Sequence, residues 1–404
     1  MSVLSSPGTT VPVTTFERLA QAGDALVIDM RSPGEFAADH VPGAHNVPLF
    51  EDVDRAVVGL LYHRASREQA FARGRSIVLA RIEALVARVA ELADWSRSDA
   101  DLERLAGRMT AGGIEQLERE LTTFELEALP ERPVVVHCWR GGLRSRSMIV
   151  LLRALGLDRA IGLAGGYKSY RRHVRETIET WRAPPAFVLR GLTGVGKTLV
   201  LRELERLRPR TTLDLEGMAG HRSSLLGMVG LEPCTQKTFE SRIFQRIGVG
   251  FPGHVVLEGE SRKVGDRIVP ASVWDALTSG VNIELRAPME RRVQVLVDDY
   301  LARESNRPEL RAQLAIVEAR MEQRAPLVEL FDAGREQELV RVLLERYYDP
   351  LYRHSEQGQH YALTVDATDP TRAAAEIAAW IHRIRVRRRL SRPDRSTLPG
   401  RPRG

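Results

Sequence analysis

The chain is poor in cysteine, in lysine and in long apolar runs, and each shortage narrows what it does. Two cysteines in 404 residues, Cys138 and Cys234, make no disulfide framework and are too few for a cysteine-rich zinc site. Free thiols survive in a reducing compartment, so the cytoplasm is the expected location. No apolar stretch approaches the roughly 18 residues of a membrane span. The start "MSVLSSPGTT" has neither the charged beginning nor the apolar core of a secretory signal. What remains is a globular composition, 43% hydrophobic and 28% charged.

Lysine is scarcer still: only four of the 59 basic residues are Lys, at 168, 197, 237 and 263. In a chain that otherwise uses Arg, a retained Lys marks a place for a compact, flexible ammonium. The formal charge of +6 is also unevenly spread. Residues 383–404 hold nine Arg and one Asp, a net +8, which leaves the other residues at −2. The basic character is that of a tail, not of the body. Such a tail is expected to lack fixed structure, and either touches RNA phosphates nonspecifically or only solubilises the chain.

The length implies two or three domains. "ALVIDMRSPGEFAADHVPGAHNVPL" (25–49) reads as strand, loop, short helix, turn and strand. Helix follows to about residue 128, with Ile82, Leu85, Val86, Val89 and Leu92 at helical spacing. "RPVVVHC" is a buried strand that ends at the thiol, and "RAPPA" (182–186) reads as a linker. Beyond it, "AFVLR", "TTLDL", "HVVLEGE" and "VNIELRA" alternate with helices, the longest expected across roughly 306–347. The expected fold class is α/β: residues 1–181 with a helical insertion at about 51–130, then a parallel-sheet domain over 182–382 with a helical C-terminal part, then the tail.

Two loops carry chemistry. In "VVVHCWRGGLRSRS" (134–147) a strand, a glycine loop and a helix start make an anion cradle, because backbone N–H groups converge and the helix dipole adds positive potential. Arg140, Arg144 and Arg146 add charge, while Gly141 and Gly142 permit the turn. These features stabilise thiolate over thiol, so Cys138 is read as a nucleophile built to meet an anionic substrate. Cysteine phosphatases and rhodanese-like sulfurtransferases share such a loop, and the residues alone leave both open. Cys234 has no glycine or arginine setting and is read as inert.

The second loop, Gly191-Leu-Thr-Gly194-Val-Gly196-Lys197-Thr198, fits G-x4-G-K-[ST] between a strand and a helix. Its amides suit a diphosphate, Lys197 an outer phosphate and Thr198 a Mg²⁺ ion. Glu258 and Glu260, at the end of "HVVLEGE", are the candidate acidic metal or water ligands, with Asp214 as runner-up. No tightly bound cofactor is expected. The motif leaves the ligand open between a nucleotide, another diphosphate and RNA phosphate.

The pairing of the two loops, with "DMRSPGEF", "AVVGLLYH", "CWRGGLRS", "GGYKSYRR", "GLTGVGKT", "DLEGMAGHR", "LEGESRKVG" and "YYDPLY", resembles the bacterial tRNA 2-selenouridine synthase family. The resemblance implies a rhodanese-like domain fused to a P-loop domain. It implies selenium-for-sulfur exchange at C2 of a wobble 2-thiouridine in the tRNA anticodon, by way of an S-geranyl intermediate. Geranyl diphosphate and selenophosphate are then the substrates, tRNA the partner, and a cytoplasmic monomer the expected form. Carried onto this sequence, Cys138 would take selenium, and Arg140 and Arg144 would bind the phosphate portion. From the chemistry of its own motif, the Gly191–Thr198 loop would hold the geranyl donor's diphosphate. Arg262 and Lys263 would neutralise that diphosphate or grip RNA, while Gly217, His221 and Arg222 would line the cleft. Tyr347, Tyr348 and Tyr352 would stack on a base or belong to the core. A cysteine phosphatase, or a P-loop small-molecule kinase with a regulatory rhodanese domain, is the alternative.

Overall fold

A computed structural model describes residues 10–98, 101–222, 227, 229–301, 304–321, 325–351 and 358–390. Tyr352 and the tail beyond 390 lie outside the described residues. The chain divides into two compact units, Met1–Thr177 and Ile178–Gly404.

Among the described residues the first unit is built on six parallel strands: β1 (Val11–Thr14), β2 (Leu26–Asp29), β3 (His45–Asn46), β4 (Thr123–Glu125), β5 (Val134–His137) and β6 (Ala160–Leu163), in the order β3-β2-β5-β6-β1-β4. Central strands such as VVVH are buried along their whole length, as expected where helices cover both faces of a parallel sheet. Its helices are α1 (Phe16–Gln21), α2 (Pro33–Ala38), α3 (Asp52–Arg64), α4 (Arg67–Leu92), α5 (Leu102–Met109), α6 (Gly113–Glu120), α7 (Leu143–Ala154) and α8 (Gly166–Thr180). Helices α3 to α6 are the expected insertion. They are no separate lobe: Leu85, Val89, Leu102 and Leu117 share one core with Val134, Val136 and Leu152. Truncating such a residue costs about 2–5 kcal/mol.

Among its described residues the second unit has five parallel strands, β7 (Ala186–Arg190), β8 (Thr212–Leu213), β9 (Val255–Glu258), β12 (Val281–Arg286) and β13 (Tyr361–Asp366), ordered β13-β12-β7-β9-β8. A small antiparallel hairpin joins β10 (Lys263–Val264) to β11 (Arg267–Ile268). The helices are α9 (Lys197–Leu207), α10 (Leu215–Ala219), α11 (Gln236–Val249), α12 (Ala271–Ser279), α13 (Met289–Leu301), α14 (Arg307–Arg320), α15 (Leu327–Asp332), α16 (Glu336–Leu343) and a last described helix, Pro370–Leu390. Among the described residues no helix is long and apolar enough to cross a membrane.

Three expectations change. Helix does not persist to about 128: it ends at Glu120, and the chain pairs with β1 as the edge strand β4, whose residues are all exposed and therefore carry no apolar signal. The helix expected over 306–347 is three helices, interrupted around Pro326, the N-cap of α15, and Gly334, which takes a left-handed φ of 69°. The tail expected to lack structure from residue 383 begins as helix, through Leu390.

Candidate functional site

Cys138 follows the last residue of β5, and β2 pairs beside it with Asp29 opposite His137. The thiol therefore sits at the C-terminal edge of the sheet, where parallel α/β folds place their ligands. Gly142 caps α7, so the free amides of its first turn face the loop. Gly141 takes φ 63°, and a Cβ there would lie 2.8 Å from the Leu163 carbonyl. From the other side α8 presses its start against the same loop: the amides of Tyr167 and Lys168 donate to the carbonyls of Cys138 and Trp139 at 3.0 and 2.9 Å. Only a glycine at 166 permits this, because a Cβ would come within 2.4 Å of the Cys138 carbonyl oxygen. That is the structural content of "GGYKSYRR".

Cys138 is 2% exposed, with Sγ 3.3 Å from Ser145 Oγ. Burial pushes the thiol up. The Arg144 charge, the Ser145 hydroxyl and amide and the Gly142 amide outweigh it, so the pKa falls below the ordinary thiol value. Arg144 is half-buried and Arg140 exposed, both available to an anion in the loop. Arg146 has another job: its guanidinium donates to the carbonyls of Gly141 and Leu121 at 2.9 and 3.0 Å and fastens the loop from behind.

The loop rests on a buried charged layer. Arg31 donates to both Asp29 carboxylate oxygens at 2.6–3.0 Å and to the Asp39 carbonyl at 2.7 Å, and its guanidinium lies 3.5 Å from the Tyr167 ring centroid. Tyr167 Oη donates to Asp39 Oδ2 at 2.7 Å, and Asn46 bridges the carbonyls of Asp29 and Arg31 at 2.9 Å. His137 is fully buried between this layer and the Cys138 carbonyl. Burial lowers its pKa, opposed by the Asp29 charge beside it.

In the second unit β7 runs into the glycine loop and Gly196 caps α9. Gly194 takes φ 78°, with the Arg292 carbonyl 2.8 Å from where a Cβ would stand. Lys197 Nζ donates to the Gly191 carbonyl at 3.2 Å, curled over the loop. Arg292, on α13, donates to the Thr193 carbonyl at 2.9 Å while paired in the interior with Asp349 at 2.5 and 3.1 Å. This pair explains the Asp of "YYDPLY". Tyr348 is a core residue and Tyr347 packs against the same core.

Glu258 ends β9 beside the loop, fully buried, with neither carboxylate oxygen hydrogen-bonded among the described residues. Glu216, Glu258 and Glu260 bring ligand oxygens within 4.8 Å of one another, and Thr198 Oγ1 donates to Glu216 at 3.4 Å. Burial, then the charges of Glu216, Asp214 and Glu260, raise Glu258 well above the carboxylate range. An all-oxygen set of this kind suits a hard divalent cation, which would relieve that penalty. Sequence reading missed Glu216, whose signal was its place in the first turn of α10, directly after "DL". Asp214 instead caps α10 by accepting from the Gly217 amide at 2.7 Å.

A cavity of about 840 Å³ opens over this loop, lined among others by Lys197, Thr198, Glu216, Arg222, Glu260 and Tyr300. Arg222 is held there by Asp299 at 2.5 and 2.8 Å. His221 is half-buried, with Nδ1 lacking a hydrogen bond among the described residues, and burial lowers its pKa. Arg262 lies near the Trp274 ring at 5.6 Å, and Lys263 is exposed on the β10 hairpin; neither lines the cavity. Cys234 is half-buried, its thiol donating to the Met218 carbonyl at 3.3 Å.

Two family models match the chain. The family model "tRNA 2-selenouridine synthase AAA domain" matches residues 184–323, and "Rhodanese-like domain" matches 13–78. A tRNA 2-selenouridine synthase of Cupriavidus necator is 30% identical over 370 residues, covering 83% of this chain and 89% of that protein. The chain belongs to the tRNA 2-selenouridine synthase family. Similarly named proteins are 29% identical in Hydrogenovibrio crunogenus, over 85% of this chain and 92% of that one, and 30% identical in Chromohalobacter salexigens, over 68% and 65%. Within this family framework, the first unit is a rhodanese-like fold and the second a P-loop-like parallel sheet. The rhodanese match stops inside α4, ahead of the thiol loop.

Proposed function

We propose that this protein replaces the C2 sulfur of a wobble 2-thiouridine in tRNA with selenium, acting as a cytoplasmic monomer. The observation that carries the reading is the ionisable, anion-cradled Cys138 in the same chain as a phosphate loop. A thiocarbonyl carbon is a poor electrophile with a poor leaving group, and S-alkylation improves both. The thiouridine sulfur attacks C1 of geranyl diphosphate, the C1–O bond breaks, and the electron pair leaves with diphosphate. The amides of Gly191–Thr198 and Lys197 hold that diphosphate. Mg²⁺ held by Thr198, Glu216, Glu258 and Glu260 would offset the charge of the leaving group.

Selenium then enters through the thiol loop, whose amides, Arg140 and Arg144 bind the phosphate end of selenophosphate. Attack of the Cys138 sulfur on selenium breaks the Se–P bond, leaves a sulfur-bound selenide and releases phosphite. The selenide attacks C2 and geranylthiolate departs. A further thiol cuts the S–Se bond, leaving 2-selenouridine on the RNA and a disulfide on the enzyme.

The test is nucleoside mass spectrometry of a 2-thiouridine anticodon stem-loop incubated with protein, geranyl diphosphate, selenophosphate, Mg²⁺ and a thiol. The expected products are 2-selenouridine and phosphite, with S-geranyl-2-thiouridine accumulating when selenophosphate is withheld. Unchanged RNA in the complete mixture overturns the reading.

A further inference from the structure

The rhodanese-like unit contains a second large feature that neither loop uses. A cavity of about 640 Å³ lies inside the helical insertion, within the range of small-molecule sites. Phe71, Val78 and Ile82 of α4, Met109 of α5 and Leu117 of α6 line it. The "AVVGLLYH" stretch, which the two-loop chemistry leaves without a role, forms another wall through Ala56, Val58, Gly59 and Tyr62 of α3. The remaining wall is α7, the helix whose start cradles the thiol: Leu143, Ser147 and Leu151 face the cavity at intervals of one turn.

The cavity's arginines are not equivalent. Arg55 is engaged by Glu35 at 3.0 and 3.1 Å, Arg67 by Glu118 at 2.5 Å, and Arg75 by the Thr110 hydroxyl at 2.7 Å. Arg144 has no hydrogen bond or ion pair among the described residues; it lines the cavity, and its charge stabilises the Cys138 thiolate. The site therefore offers an apolar chamber in which one cation, uncommitted among the described residues, acts electrostatically on the nucleophile. Its complement is a substrate with a flexible apolar chain attached beside the atom that Cys138 attacks. Neither selenophosphate nor an unmodified pyrimidine has such a chain.

We infer that this cavity receives the S-prenyl chain of the alkylated 2-thiouridine during selenium transfer, so that C2 is presented to Cys138 with its leaving group buried in the α3–α7 chamber. The assignment rests on the function proposed above and adds to it a recognition step. The rhodanese-like unit then selects the geranylated nucleoside by its chain and discriminates against plain 2-thiouridine, because apolar burial contributes favourably only when the chain is present.

The test supplies stem-loops carrying S-methyl-, S-butyl- and S-geranyl-2-thiouridine, with selenophosphate and a thiol, and omits geranyl diphosphate. Wild-type kcat/KM is expected to rise by about tenfold or more from methyl to geranyl, as burial of several methylene groups requires. Val78→Trp, which fills the chamber, is expected to flatten that series while leaving the S-methyl rate and the geranylation of 2-thiouridine RNA within about twofold. Wild-type rates independent of chain length overturn the assignment without recourse to any variant. So does a Val78→Trp protein that keeps the preference. If wild type converts none of the S-alkyl substrates, the proposed function itself fails and the assignment falls with it.

Discussion

Cys138 Sγ and Ser145 Oγ lie 3.3 Å apart across the first turn of α7, so the sulfur faces a hydroxyl, helix-start amides and the Arg144 charge at once. Cys138→Ser keeps the shape of this site and removes its nucleophile. Selenium incorporation is expected to fall by at least about a thousandfold, while S-geranylation stays within about twofold. Nucleoside mass spectrometry reads both products from one reaction.

The same arrangement fixes a pH dependence. Selenium transfer to geranylated RNA should rise with pH until Cys138 is ionised, and level off below the ordinary thiol range because the thiol's pKa is lowered. Arg144→Gln removes the largest charge that stabilises the thiolate. The rising limb should move to higher pH, whereas Arg144→Lys should keep most of the wild-type profile. A pH–rate series under single-turnover conditions checks the shift.

Asp29 and Arg31 form an ion pair with each side chain at most 1% exposed. Asp29→Asn leaves the guanidinium buried without its counter-charge and is expected to destabilise the first unit by about 3–5 kcal/mol. In the native protein burial raises the Asp29 pKa, but the His137 charge and the Arg31 contacts outweigh it and the net shift is downward. A depressed carboxylate contributes stability at neutral pH that is lost as pH falls through its folded-state value. Denaturant unfolding of the full chain at neutral and acid pH should show this acid-sensitive portion in wild type and not in Asp29→Asn.

Arg292 ties the phosphate loop to Asp349 through the Thr193 carbonyl. Lys197→Ala should remove geranylation while selenation of pre-geranylated RNA remains within about twofold. Arg292→Lys loses the forked contact, and KM for geranyl diphosphate should rise by about tenfold. Equal loss of both steps in Lys197→Ala would contradict the division of labour between the loops.

Glu258 has two buried, unpartnered carboxylate oxygens beside Glu216 and Glu260. Glu258→Gln removes one negative charge from the oxygen set, so the Mg²⁺ concentration for half-maximal geranylation should increase by about tenfold or more. Chelation should stop geranylation in wild type and spare selenation of pre-geranylated RNA. Metal titration followed by product analysis decides both.

The primary structure determined what depends on neighbours along the chain. The thiol loop and the Gly191–Thr198 loop are each a strand end, a few glycines and a helix start in unbroken succession. Their amides, dipoles and charges are therefore readable before any fold is known. Helical spacing likewise revealed the apolar face of α4, and uninterrupted apolar runs revealed β5 and β9. The exposed edge strand β4 left no such pattern.

Tertiary structure decided everything that needs residues distant in sequence to share a buried volume. Arg292 meets Asp349, and Tyr167 meets Asp39, because a charge or hydroxyl removed from water must find a partner wherever the fold supplies one. Glu216 joins Glu258 and Glu260 because β8 and β9 are adjacent strands that end at the same edge. Arg146, which looked like one more charge for the anion, is a clamp on carbonyls. The apolar chamber of the insertion exists only where α3 to α7 enclose it, since a cavity is a property of several surfaces and of no single stretch of chain.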